Sequence, residues 1–319
     1  MKKGTKIWII VAAALLAFGM FVMLVALAIN GWNFRRVFGG EQYVSNTYKI
    51  EEEFTNISVE VDTQDVRFVR ADGECKAVCY EKPQSTHSVS VQDGTLVIKG
   101  KYDKKWYEFF SFESPKVDVY LPEKTYDSLS LKASTGDVYI AKECTFNSIN
   151  VSLSTGDVKN YASAVEKIKI KTSTGNIYME NIATGLVELS VSTGDITAIN
   201  VDCAGDIKIG VDTGDTTLKN VSCKNLSTNG DTGDLSLQNV LATEKFSIER
   251  DTGDVRFDGC DAAEISVKTS TGDVKGSLLS DKIFIVQTST GKIKVPETLS
   301  GGKCKIVTST GDVSITIVT

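Results

Sequence analysis

Ten evenly spaced Thr-Gly dipeptides constrain this chain more than any other feature. Their glycines are Gly136, Gly156, Gly175, Gly194, Gly214, Gly233, Gly253, Gly272, Gly291 and Gly311, each 19 or 20 residues from the next. A self-similar unit of that length is a repeat array and has to be recognised before any local motif is read. Parity around the glycine gives the strand faces. Apolar residues stand seven before it (Leu129, Ile149, Ile168), five before it (Leu131, Val151, Ile170) and two after it (Val138, Val158, Ile177). The positions between hold Ser, Lys, Asn, Thr and Glu. Alternation of period two on both sides of a turn is the pattern of half-buried strands.

A unit this short cannot bury its apolar side alone, whereas ten stacked in register enclose a continuous core. The expected fold is therefore all-β: a parallel β-solenoid of about ten coils, each adding about 4.8 Å, coiled right-handed as parallel crossovers prefer. Glycine supplies the bend, and the Asp after it accepts a turn N–H. Asn176 and Lys292 replace that Asp once each. A second corner follows at Asn181, Asn200, Asn220 and Asn239, whose amides can form a ladder along the rod.

Three of the corners read Asp-Thr-Gly, at 212–214, 231–233 and 251–253. An aspartic protease needs two such loops facing each other, so that two carboxylates share one proton. Here they sit in successive coils of one array, in a slot that seven other units fill with Ser-Thr-Gly. The motif is architectural. His87 is the only histidine, which removes most acid–base and triad schemes. The chain is expected not to be an enzyme. A polysaccharide-cleaving β-helix stands as the minor alternative, needing Asp, Lys and Arg clustered in a groove.

From Ile7 to Ile29 the chain runs 23 residues without a charge, long enough to span a bilayer as a helix. Lys2, Lys3 and Lys6 before it, with the α-amino group, outweigh Arg35 and Arg36 after it. The N-terminus is expected to stay inside and the rest to lie outside the cytoplasm. A cleaved signal peptide competes, with Ala26-Leu27-Ala28 as its cleavage-like site. The expected organisation is a tail 1–6, a membrane helix 7–29, a juxtamembrane linker 30–50, a β-rich cap with degenerate repeats 51–127, and the solenoid 128–319. The first 36 residues carry five basic and no acidic side chains, so the formal charge of −6 becomes −11 for the remainder. That charge excludes nucleic acid as a partner.

Seven cysteines leave at least one unpaired in a monomer. They are expected to be reduced packing residues, with Cys203/Cys223 and Cys75/Cys79 as the candidate pairs. In the cap, Gln64 takes the glycine slot of a degenerate repeat, Ser88–Gly100 reads as a hairpin, and Lys116–Glu123 as a strand. Trp106, Tyr107, Phe109, Phe110 and Phe112 cluster in residues 101–114, as a closing plug for the core or as a ligand-contact surface.

Asp212, Asp215, Asp231, Asp234, Asp251 and Asp254 place six carboxylates on one corner of three coils. Equivalent carboxylates there repel by about 1 kcal/mol per pair in water. Ca²⁺ would relieve that, and Arg250 offers another route. No other cofactor is implied. The Thr-Ser-Thr runs at 172–174, 269–271, 288–290 and 308–310 resemble ice-binding arrays, but parity turns both threonines inward, against that use. The last coil, ending at Thr319, offers a free strand edge, so weak self-association through the C-terminal coil is expected.

A basic-flanked anchor, a strand-rich lead-in, "VDVYLPEKTYDSLSLKASTGDV" (117–138) and then serial "STGDV" units together resemble the bacterial putative-adhesin family. These β-strand-repeat proteins have no assigned molecular function and are common in Gram-positive bacteria. The resemblance covers residues from about 50 to 319. It implies an extracytoplasmic module at the cell envelope that binds an envelope polymer or surface protein. The alternative it implies is a regulatory or stress-linked membrane protein acting through its helix. It carries no catalytic motif.

Overall fold

The computed structural model describes residues 3–29, 31–32, 44–81, 86–100 and 115–318. One helix, Lys3–Ile29, precedes a single wound sheet of 24 strands. Its stretch Trp8–Ile29, with a mean hydropathy of 2.8, is long and apolar enough to cross a membrane. Among the described residues the regular structure after it is all β, and the chain is the β-solenoid that its repeats call for.

One coil shows the design. Strand Val187–Thr193 reaches the corner at Gly194-Asp195, strand Ile196–Cys203 bends at Asn200, and Asp206–Thr213 opens the next coil. Successive coils pair in parallel and in register, Val187 with Ile207, Ile196 with Thr216 and Val201 with Val221. Inward columns merge into one core cluster running from Phe54 to Ile315, which includes Leu131, Ile170 and Val267 at 0–1% exposure. A further inward column stands three before the glycine, with Leu153, Val191 and Val211. Thr172, Thr269 and Thr308 share it and are buried. The second threonine of each run, at 174, 271, 290 and 310, is exposed instead. The pleat ends at the corner, so parity stops predicting the face there.

The corner glycines have φ between 130° and 157°, a region that L side chains avoid. A Cβ at Gly233 would sit 2.0 Å from the Gly214 carbonyl oxygen. Every corner glycine N–H except that of Gly291 donates to the threonine carbonyl of the neighbouring coil, as Gly214 does to Thr232 and Gly233 to Thr252. The Asp beside it completes the corner. Asp215 Oδ1 accepts the Asp234 N–H at 2.8 Å, and Asp234 Oδ1 accepts the Asp254 N–H at 2.9 Å. The ladder starts at Asp65 and ends on the Lys292 N–H. Asn176 keeps it intact, because its amide oxygen serves equally well. The second corner is built the same way. Asn181, Asn200, Asn220 and Asn239 have φ of 51–58°, and their amides link coil to coil at 2.8–3.0 Å. Gly259 (φ 61°) holds that place in the next coil.

At both ends the coils stack out of chain order. Asn56–Val61 and Asp65–Arg70 lie directly beneath Thr125–Thr135 and Val138–Ile140, with Gln64 under Gly136 as the repeat register implies. Beneath them lie Thr95–Gly100 and Lys116–Leu121. His87–Gln92 pairs antiparallel with Thr95–Gly100 across Asp93-Gly94, both at positive φ, which is the expected hairpin. Val44–Lys49 and Lys116–Leu121 flank Lys76–Glu81, antiparallel to it.

The C-terminal end mirrors this and corrects an expectation. Gly302–Thr310 and Val313–Ile317 are inserted between the coil of Gly272 and the coil of Gly291. The last coil in sequence is therefore paired on both sides, and the free edge belongs to Lys282–Thr290 and Ile293–Lys294. Lys292 gives the physical reason: it occupies the acceptor slot without an acceptor, so its coil can receive the ladder but not extend it.

The ladder makes a direct prediction. Asp234→Ala, which leaves the Asp254 N–H without its acceptor, should cost about 1 kcal/mol, whereas Asp234→Asn should be near neutral. Thermal melts of both variants check it, and equal losses would show that charge rather than acceptor geometry matters.

Candidate functional site

The six-carboxylate corner divides into two sets. Asp215, Asp234 and Asp254 each commit one oxygen to a backbone N–H, and Asp254 Oδ2 also meets Arg256 Nη2 at 3.3 Å. Asp212, Asp231 and Asp251 sit exposed, two residues before the glycine. The aromatic candidates Trp106, Tyr107, Phe109, Phe110 and Phe112 lie outside the described residues. All seven cysteines are buried and unbridged, including the candidate pairs Cys203/Cys223 and Cys75/Cys79.

Arg250 does not join the aspartates on the outside. It occupies the inward column and is 2% exposed. Its side chain passes through the gap at Gly230, where a Cβ would lie 2.0 Å from Nη1, and Nη2 donates to Thr216 Oγ1 at 3.0 Å. Nε and Nη1 find no acceptor among the described residues. Burial holds the guanidinium below its usual pKa, although Asp215 and Asp234 pull it back up. A buried charge with no paired carboxylate and two unmet donors costs stability, so Arg250→Met should leave the melting temperature unchanged or raise it. A large drop in a thermal melt would show that the charge is needed.

Among the described residues, Cys79, Glu81 and His87 bring three ligating atoms within 4.8 Å of one another. Their surroundings favour a clamp over a metal. Glu81 accepts from Asn46 Nδ2 (2.7 Å), Tyr48 Oη (3.0 Å), the His87 N–H (2.8 Å) and His87 Nδ1 (3.0 Å). Burial opposes ionisation of Glu81, but these donors together outweigh it and hold the carboxyl below its ordinary value. Burial pushes the Cys79 thiol up to about 12. The Tyr48 phenol is likewise raised to about 12, by burial and then by Glu81. With Nδ1–H given to Glu81, His87 is neutral, and burial lowers its pKa more than Glu81 raises it.

The clamp ties three strands of the N-terminal end and sets a pH dependence. A His pKa depressed on folding means that the unfolded chain binds more protons between the folded value and the ordinary value of 6.5. Stability is complete above that window and falls as pH drops through it, and Glu81 adds a further loss below its ordinary value of 4.5. Thermal melts from pH 8 to pH 4 should show this decline, and His87→Gln should remove its upper part.

One outward feature escaped the repeat reading. Tyr139, Tyr161 and Tyr178 form a stack across three coils, with ring centroids 5.6 and 5.9 Å apart and tilts of 49° and 53°. Arg67 lies 5.7 Å from the Tyr139 centroid, and Tyr178 Oη donates to Glu180 at 2.9 Å. All three rings are half-buried. Tyr139 and Tyr178 each stand three after a corner glycine, which was the signal in the sequence. Tyr161 stands five after its own, which hid the column.

Near the other end, a cleft of about 760 Å³ opens between the overhanging segments 280–282 and 300–302 and a floor of Leu241, Ala242 and Ala262. Lys282 is buried in its wall and held by Asp261 Oδ1 at 2.6 Å.

The Toastrack DUF4097 family model matches residues 54–210 and again 199–319. The chain belongs to this family. No curated protein is similar to it in sequence. Among solved structures, a putative adhesin from Parabacteroides distasonis is similar over 87% of this chain and 98% of its own, at 13% identity and a TM-score of 0.51. A putative adhesin from Parabacteroides merdae matches over 75% and 97%, at 16% identity and a TM-score of 0.51. At these identities the likeness shows the fold alone. Both organisms are Bacteroidetes rather than the Gram-positive bacteria in which the resemblance places the family.

Proposed function

We propose that this Toastrack chain is a non-enzymatic binding module, displayed outside the cytoplasm on its N-terminal helix, that contacts an envelope glycan along the side of its rod. The observation that carries this reading is the Tyr139–Tyr161–Tyr178 stripe, in an outward column that elsewhere holds Lys159, Thr197, Thr217, Ser236 and Arg256. A tyrosine offers an apolar face and a polar tip, which match the C–H face and hydroxyl rim of a sugar ring. Arg67 at one end and Glu180 at the other supply a donor and an acceptor for hydroxyl groups. A filled lumen leaves only the outside of such a solenoid for a ligand. The adhesin descriptions of the two structural neighbours agree with a binding role, and the apolar helix agrees with attachment to the membrane.

The test is a pull-down of residues 44–319 on isolated cell-wall polymer. Tyr139→Ser, Tyr161→Ser and Tyr178→Ser combined should weaken binding roughly tenfold to a hundredfold at about 1 kcal/mol per ring, with the melting temperature little changed. Undiminished binding by the triple variant would overturn this reading.

A further inference from the structure

The free end of the solenoid departs from the repeat in a way that its role as a terminus does not demand. In nine coils the outward position six before the glycine holds Ser, Asn, Lys or Glu; in the end coil it holds Ile285. Ile283, two residues earlier, is also apolar and faces out. Their exposures are 46% for Ile283 and 49% for Ile285, with Ile293 at 48% and Leu299 at 100%. Phe284 and Val286 close the core here and are only half-buried, because no coil lies beyond them.

Directly behind this apolar rim stands a cationic band. Lys303 and Lys305 pair in register with Ile283 and Ile285, one strand spacing or about 4.8 Å further back. Lys292 and Lys294 flank the rim on the other side of the corner, and all four lysines are exposed. Residues 281–305 carry five lysines against Asp281 and Glu297, a net +3. The chain beyond residue 36 has a net −11, so its remaining part carries −14. This end lies across the whole stack from Val44, where the chain joins the sheet beside Lys76–Glu81.

We propose that this end docks on an anionic lipid surface. Apolar side chains that reach about 5–10 Å into the boundary of headgroups and acyl chains, with lysines at phosphate level behind them, are how interfacial segments bind. The strongly acidic flanks are repelled by the same surface, so the rod stands on its tip rather than lying down. A second copy fits this end poorly: tip-to-tip contact would bring two net +3 faces together, and lysines along an open strand edge discourage edge pairing. This inference stands apart from the tyrosine stripe, which lies many coils away.

The core cluster begins at Phe54 and includes no residue of the helix, so residues 44–319 carry their own core and suit a vesicle flotation assay. The chain should float with vesicles of two parts phosphatidylcholine to one of phosphatidylglycerol, and not with phosphatidylcholine alone. Each lysine near the surface contributes about fivefold to partitioning. Lys303→Glu with Lys305→Glu should therefore lower the bound fraction at least twentyfold, and Ile283→Ser with Ile285→Ser at least tenfold. Both pairs face outward, and matched thermal melts confirm that they fold. The triple tyrosine variant should float like the parent, which separates failure here from failure of the glycan reading. Three results would overturn the proposal: equal flotation of parent and tip variants, no flotation with either vesicle, or a concentration-dependent dimer in ultracentrifugation that Ile285→Ser abolishes. Binding to a soluble polyanion that is indifferent to the isoleucines would also overturn it, in favour of a polymer site.

Discussion

Each coil of this molecule is held to the next by a backbone bond that forms only because a glycine lacks a Cβ. At the Thr-Gly-Asp corner the glycine N–H reaches the neighbouring threonine carbonyl, and a Cβ would lie about 2 Å from a carbonyl oxygen of the adjacent coil. The aspartate then closes the bend by accepting the next coil's N–H. Stacking, register and the filled core follow from this contact, because once the corners are superposed the inward columns have to align. A parallel sheet of short segments would otherwise slip, since single strands this short specify register weakly.

The ladder has a direction, and that makes the two ends of the rod chemically different. Asp65 opens it and Lys292 receives it without passing it on. Both ends also stack a coil out of chain order, so the first and last array strands in sequence are each covered on both faces. The array's own open edge lies at the coil of Gly291, where Lys292 stands in place of an acceptor, while Val44–Lys49 and His87–Gln92 form the outer edges at the opposite end. The two surfaces proposed to bind ligands, the tyrosine stripe and the apolar cationic tip, are places where outward residues leave the repeat pattern. The wall between them consists of short polar side chains and exposed ion pairs such as Lys268–Glu249, which contribute little to stability.

The buried polar groups tell a related story. Thr172 and Thr308 sit in the core column but donate back to corner carbonyls, so they cost little. Arg250 takes the same column and finds one acceptor, Thr216, only because Gly230 leaves the space. Glu81 is satisfied by a network drawn from three strands, whereas His87 gives Nδ1–H to it and leaves Nε2 without a partner among the described residues. For Arg250 the sequence suggested a partner for the outer aspartates, and its neighbours decided otherwise.

Much was legible without coordinates. The 19–20-residue glycine period and the alternation around it determined the coil, the inward columns, the glycine and asparagine corners and the hairpin at 88–100, because each depends on residues close in sequence. The aspartate's role as a turn acceptor was legible as well, though not that its donor lies one coil away. What only the tertiary structure decided depends on which coil lies next to which. That covers the inserted C-terminal coil, the reason Lys292 is tolerated, the inward turn of Arg250 and the meeting of Tyr139, Tyr161 and Tyr178. Local periodicity sets where a chain bends and which face it buries. It carries no information on the order in which equivalent coils are laid down, since every parallel coil offers its neighbour nearly the same backbone.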